Sequence, residues 1–136
     1  MHNLHQSWYA GANRPPIWTE DQGFFGIGVA TWTTHRVEML PGITAIGASA
    51  HSPGHHLYAI QSRGQTLIDI GDLSHHQILL LKRPHWEFQF DYDSVKAAET
   101  RIRHFDRIVQ ERHAILAYHF PFPGLGHLRK DRDGYT

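Results

Sequence analysis

The pattern of apolar and polar positions changes character near residue 35. Before that point apolar residues follow no clear period, and Gly11, Asn13, Pro15 and Pro16 interrupt any regular element. Residues 1–35 are therefore expected to be an N-terminal segment, irregular or weakly ordered. From His35 onward short apolar runs alternate with turn residues. Residues 37–40 and 43–46 flank Pro41-Gly42, and residues 56–61 and 65–70 flank Ser62-Arg63-Gly64, which is the pattern of two hairpins. Leu67, Ile68 and Ile70 make a near-continuous apolar run, as in a strand buried on both faces. Residues 74–81 predict a short helix or lid-like segment that Pro84 stops. Trp86-Glu87-Phe88-Gln89-Phe90 alternates aromatic and polar residues, which predicts an extended segment with one aromatic face.

The clearest helical period spans residues 94–112. Val95, Ala98, Ile102, Phe105 and Val109 form one apolar stripe, and Asp93 is placed to cap its start. Arg101, Arg103, Arg107 and Arg112 lie outside that stripe and are expected to form a solvated face. Residues 114–118 predict a buried strand, residues 121–126 a rigid turn-rich loop, and a last strand starts near His127 and breaks off. The order of elements gives an α/β (α+β) chain with one mixed β-sheet and a main helix near 94–112.

Composition narrows the function classes. At 136 residues the chain is one domain or less. Its formal net charge is zero and no charge blocks occur, so nothing draws it to nucleic acid. The absence of Cys excludes disulfides and thiolate metal sites. No apolar run approaches the ~20 residues of a membrane helix, and no signal pattern opens the chain. A cytoplasmic location without nucleic-acid or membrane partners is the expectation. The unusual number is 13 His, since imidazole is the commonest protein metal ligand.

Three polar residues follow predicted strands. His51 lies in the loop Ala50-His51-Ser52-Pro53-Gly54-His55-His56, Asp72 follows residues 66–71, and His119 follows residues 114–118. In open sheets, ligands gather outside strand ends. Two imidazoles and one carboxylate suit Zn²⁺, with Mn²⁺ or Fe²⁺ as other borderline ions. The same residues also suit a structural reading, in which Asp72 caps the next turn and both His make ordinary loop hydrogen bonds.

From Leu40 to Tyr135 the chain resembles the C-terminal half of the metallo-β-lactamase fold hydrolases. The features that carry the resemblance are the Pro-Gly-Ile-Thr lead-in at 41–44, the His51-Ser-Pro-Gly-His55 loop, the hairpin ending in Gly71-Asp72, and Tyr118-His119 after a helix and strand. The stretches 71–76 and 119–127 are similar to the methyl parathion hydrolase-like and lactonase-like branch. The resemblance implies that residues 36–136 form half of an αββα sandwich. It implies metal-dependent hydrolysis of an ester, lactone or phosphotriester by a metal-bound hydroxide, acting on a small-molecule substrate. His51 would belong to one ion, His119 to the other, and Asp72 would bridge them. His55, His75, His76 and His127 would surround these ligands or line the substrate pocket.

The chain departs from the family in one large respect. The motif His-x-His-x-Asp-His is missing, and Met1-His2-Asn3-Leu4-His5 does not replace it. The zinc site is then incomplete, and the chain alone is expected to be weakly active or inactive. A smaller departure is Ser49-Ala50 where Pro-Gly is usual. With half the sandwich absent, the inner sheet face is expected to be covered by residues 1–35, by a second copy in a homodimer, or by a partner carrying the missing N-terminal half. Two alternatives follow: a non-catalytic dimerisation or interaction module with a vestigial metal site, and a single-metal protein in which His55, His75 or His76 supplies extra ligands.

Overall fold

The computed structural model describes residues 36–136. The readings made for residues 1–35 lie outside them. Six strands form one sheet in sequence order: β1 Arg36–Leu40, β2 Ile43–Gly47, β3 His56–Ser62, β4 Gln65–Asp69, β5 Ala114–Leu116 and β6 Leu125–His127. Neighbours are antiparallel except β4 and β5, which are parallel. A parallel neighbour needs a crossover, and the helix α2, Ser94–Glu111, supplies it. A short helix α1, Leu79–Lys82, precedes it, and a separate hairpin of β7, Lys130–Asp131, and β8, Gly134–Tyr135, follows the sheet. The expected broken-off last strand is thus closed as a hairpin, and residues 86–90 form no strand. Among the described residues no helix is long and apolar enough to cross a membrane.

Both predicted hairpins form, because Gly42 and Gly64 sit at positive φ, +81° and +76°, where the tight turns need them. Asp93 caps α2 as expected: its side chain accepts the Lys96 backbone N–H at 3.0 Å. The buried side of α2 packs over one sheet face. Ile46, Leu57, Ala59, Ile68 and Ile115 meet Phe105 and Ile108 there, and Tyr135 closes the same core. The opposite sheet face carries a second apolar row with Ile43, Ile60 and Leu67 in register.

The helix presents a different face from the one expected. Val95 is 58% exposed, while Ala97, Arg101, His104 and Ile108 are buried beside Ala98 and Phe105. Arg101 is 1% exposed, so the expectation of a solvated face holding it is wrong. The physical reason is that its guanidinium finds buried carbonyls and a carboxylate, described below.

His104 gives the fold a pH dependence. Its burial, reinforced by Arg103 and Arg107 and opposed by a backbone hydrogen bond to Gly47, lowers its pKa to about 4. The folded state then refuses a proton that the unfolded chain accepts below about 6.5. Stability is fully present above that value and is lost as pH falls toward about 4, by roughly 3 kcal/mol. Urea denaturation between pH 7.5 and 4 is expected to show a shallower loss for His104→Leu than for the parent chain. Parallel slopes would contradict the assignment.

Candidate metal centre

Strand direction brings the candidate ligands together. β2 and β4 run the same way because each is antiparallel to β3, and β5 is parallel to β4. The C-terminal ends of β2, β4 and β5 therefore share one edge. His51 lies in the loop after β2, Asp72 in the 3-10 turn Gly71–Leu73 after β4, and His119 just beyond β5.

Asp72 is the hub. Its Oδ1 lies 2.7 Å from His119 Nε2 and 3.4 Å from His75 Nε2, and it accepts the Tyr118 hydroxyl at 2.6 Å. Its Oδ2 faces His51 Nε2 at 3.6 Å. Burial pushes the Asp72 carboxyl up, but the hydrogen bonds from Tyr118 and His119 and the nearness of His51 and His75 outweigh it and hold the group below its ordinary value. The carboxylate is therefore ionised at neutral pH. Tyr118, raised by burial and by this same bond, stays a protonated donor.

His75 occupies the middle of the cluster. Its ring centroid is 4.8 Å from those of both His51 and His119, and it stacks on Phe88 at 4.5 Å. Burial, with help from His51, lowers its pKa to about 4 against the pull of Asp72, so the ring is neutral. A neutral ring beside an ionised carboxylate is the form in which imidazole ligates.

The other histidines separate. His55 holds the backbone: its Nε2 accepts the Asp72 N–H at 2.9 Å, which leaves Nδ1–H to donate to the Ala48 carbonyl at 3.1 Å. Both ring nitrogens are thus spent, and His55 positions the backbone of Asp72. Gly71 permits this approach, since at φ +51° a Cβ there would sit 2.8 Å from His55 Nε2. His76 Nδ1 accepts the Ile78 and Leu79 N–H groups at 3.1 and 3.2 Å, which turns it into an exposed cap for the start of α1. His127 pairs with Ala114 on β6 and lines a different, shallow hollow with Val109, Arg112 and Leu128.

Sequence reasoning missed Asp91. Its side chain is 1% exposed, and Oδ1 lies 2.9 Å from His51 Nδ1. That contact fixes the tautomer with Nδ1–H toward Asp91 and leaves the Nε2 lone pair toward Asp72. Arg101 secures Asp91 from behind. Its Nη2 is 3.6 Å from Asp91 Oδ2, while Nε donates to the Leu73 carbonyl and Nη1 to those of Pro84 and Trp86. The only sequence signal was an Arg on the helix face that turned out buried. A second feature tightens the loop: Ala50, directly before His51, has φ +149°, a region glycine tolerates and alanine does not. The loop is held there by hydrogen bonds from Tyr92 N to the His51 carbonyl and from Asp93 N to the Ala50 carbonyl, each 3.0 Å.

Two outcomes follow. Arg101→Met is expected to destabilise the chain by about 3–5 kcal/mol, because Asp91 keeps a buried charge without its cation. Adding Asp91→Asn should recover part of that loss in a double-mutant cycle read by urea denaturation; additive losses would contradict the coupling. Ala50→Gly is expected to stabilise the chain by about 1 kcal/mol, and no gain in thermal midpoint would show that the backbone there is unstrained.

Comparison with known proteins bears on the same residues. A PIN domain family profile matches residues 12–40. No curated protein matches the chain. Among solved structures, a hydrolase, AbOPH, in the beta lactamase superfamily is similar at 32% identity and TM-score 0.69, over 73% of this chain and 34% of that one. AidC, a dizinc quorum-quenching lactonase, is similar at 25% identity and TM-score 0.70 over the same shares. A probable metal-dependent hydrolase from Staphylococcus aureus is similar at 26% identity and TM-score 0.55, over 62% of this chain and 30% of that one. The chain spans about a third of the length of these structures. Its mixed sheet and main helix are a partial metallo-β-lactamase fold, shared with metal-dependent hydrolases of that superfamily.

Proposed function

We propose that this chain supplies one side of a hydrolytic metal centre, with His51, Asp72 and His119 as ligands and a Zn²⁺-type ion as cofactor. The observation that carries the reading is the carboxylate of Asp72, whose two oxygens face different imidazoles: Oδ2 toward His51 and Oδ1 toward His119. A carboxylate so placed can be shared between two ions. The donor set fits: two imidazole nitrogens and an ionised carboxylate suit a borderline divalent ion. Such an ion supplies a lowered pKa for coordinated water and polarises a carbonyl or phosphoryl oxygen. The chain's own residues do the rest. Asp91 aims His51, His55 fixes the backbone of Asp72, and the Tyr118 hydroxyl donates to Asp72 Oδ1.

The substrate class is a small ester, lactone or phosphotriester. Similarity to a lactonase and to two further hydrolases supports this. Because the 136 residues hold no His-x-His-x-Asp-His motif, the opposite ligands have to come from another segment, and the chain alone is inactive or weak. Residues 36–136 act in this reading as the C-terminal half of a sandwich.

One observation favours a second reading, a non-catalytic interaction module. The sheet face away from α2 carries Ile43, Ile60 and Leu67 in one row, and Tyr58, Leu116 and Leu125 around Asp69 in the next; Ile60 is 39% and Leu125 57% exposed. Such a face suits docking to a second copy or to the other half of the sandwich.

The two readings separate in one experiment. Fused behind an N-terminal half bearing His-x-His-x-Asp-His, the chain is expected to hydrolyse aryl ester, lactone or phosphotriester substrates in a metal-dependent way. Asp72→Ala or His119→Ala in the fusion should lower the rate by about 10³-fold. A folded, metal-loaded fusion that turns over none of these would reject the hydrolase reading. A metal-free symmetric dimer of the chain itself would favour the module.

A further inference from the structure

We propose that Asp91 is a positioning residue shared by two rings: its carboxylate sets both His51 and His75 in the Nδ1–H form, so that each turns its Nε2 lone pair to a different oxygen of Asp72. The inference deepens the reading of this sheet edge as a metal centre and rests on it for what the lone pairs serve. Asp91 Oδ1 lies 2.9 Å from His51 Nδ1 and takes its proton. Asp91 Oδ2 is buried and has no hydrogen-bond partner among the described residues, and the same holds for His75 Nδ1. Arg101 Nη2, 3.6 Å from Oδ2, balances its charge and leaves it a lone pair with which to accept. His51, His75 and Asp91 offer polar atoms within 4.8 Å of one another, so a small rotation of the His75 ring joins the two orphaned atoms.

A neutral imidazole has one N–H, and two carboxylates compete for that of His75. Asp72 Oδ1 already has the Tyr118 hydroxyl at 2.6 Å and the His119 ring at 2.7 Å, and His75 Nε2 stands off at 3.4 Å. Asp91 Oδ2 accepts from no such donor. A proton on Nδ1 pairs two buried polar atoms at once. A proton on Nε2 leaves both unpaired and brings a third donor to an oxygen that is already served. The outcome is one ring on each side of Asp72: His51 Nε2 faces Oδ2 at 3.6 Å, and His75 Nε2 faces Oδ1, the oxygen that also meets His119. A lone pair turned to an anion is favourable with a cation between them, which is what the metal reading supplies. His55 and His76 are outside this arrangement, since backbone groups occupy the Nδ1 of each.

The test uses the full chain, metal-free and ¹⁵N-labelled, at about pH 8, where an ordinary imidazole is neutral. Two-bond ¹H–¹⁵N spectra read the tautomer of each ring. His51 and His75 are expected in the Nδ1–H form. His55, whose Nδ1 donates to the Ala48 carbonyl, and His76, whose Nδ1 accepts two backbone N–H groups, calibrate the two forms within the same spectrum. His75 in the Nε2–H form overturns the proposal. Asp91→Leu combined with Arg101→Met removes both charges of the buried pair together. In that variant both His51 and His75 should lose the Nδ1–H preference, and a His75 ring that keeps it in the folded variant overturns the proposal. If the double variant fails to fold, the parent chain still decides. A low-field, slowly exchanging His75 Nδ1 proton supports the bond to Asp91, and a fast-exchanging one overturns it. Failure of the hydrolase reading is measured separately, as absent turnover by the fused enzyme, and leaves these tautomers where they are.

Discussion

The carboxylate of Asp72 is the constraint around which the described residues are arranged. Three imidazoles and a phenol hydroxyl converge on its two oxygens. Such a concentration of donors on one partly buried anion is costly to assemble and easy to disperse. Here it follows from topology. Three strands point to one sheet edge, and each ends in a turn that cannot continue the strand. Gly71 lets the His55 ring come close enough to hold the Asp72 N–H, so the anion's backbone is fixed before its side chain is used.

Behind the carboxylate stands a second charged pair that links packing to the site. Arg101 and Asp91 are each 1% exposed, and Arg101 also satisfies three backbone carbonyls. A buried ion pair rarely adds net stability over apolar residues of the same volume, whereas breaking one is expensive. Its value in this chain is positional. It ties α2 and the loops around residues 73, 84 and 86 to the ring of His51. The main helix thereby has two duties, covering the sheet with Phe105 and Ile108 and anchoring the site with Arg101.

Much of this was legible in the sequence, and the gaps have physical causes. Both hairpins, the capped helix and the crossover strand follow from period and turn chemistry. His51, Asp72 and His119 were singled out by their places after strands, and the structure brings them together; resemblance rather than spacing supplied their expected roles. The helix face was misjudged because periodicity scores residue type, so an arginine counts as outward until its buried partners are known. Asp91 was missed for the same reason: it sits in a loop without period, and only contact shows that it touches His51. His55, expected to surround the ligands or line the pocket, has both ring nitrogens engaged and holds the backbone of Asp72. His75 moved the other way, from the surroundings to the centre of the cluster. The aromatic alternation at 86–90 gave no strand; Phe88 stacks on His75 instead, and its neighbour Phe90 lies edge-on to it and exposed.

The central claim is that this sheet edge is a metal-binding centre organised by Asp72. Its most direct test is anomalous diffraction at the zinc edge from crystals of the chain grown with Zn²⁺. A strong peak is expected within coordination distance of Asp72 and of His51 or His119. No peak there in a fully loaded crystal, with Asp72 still hydrogen-bonded to Tyr118 and His119, would contradict it.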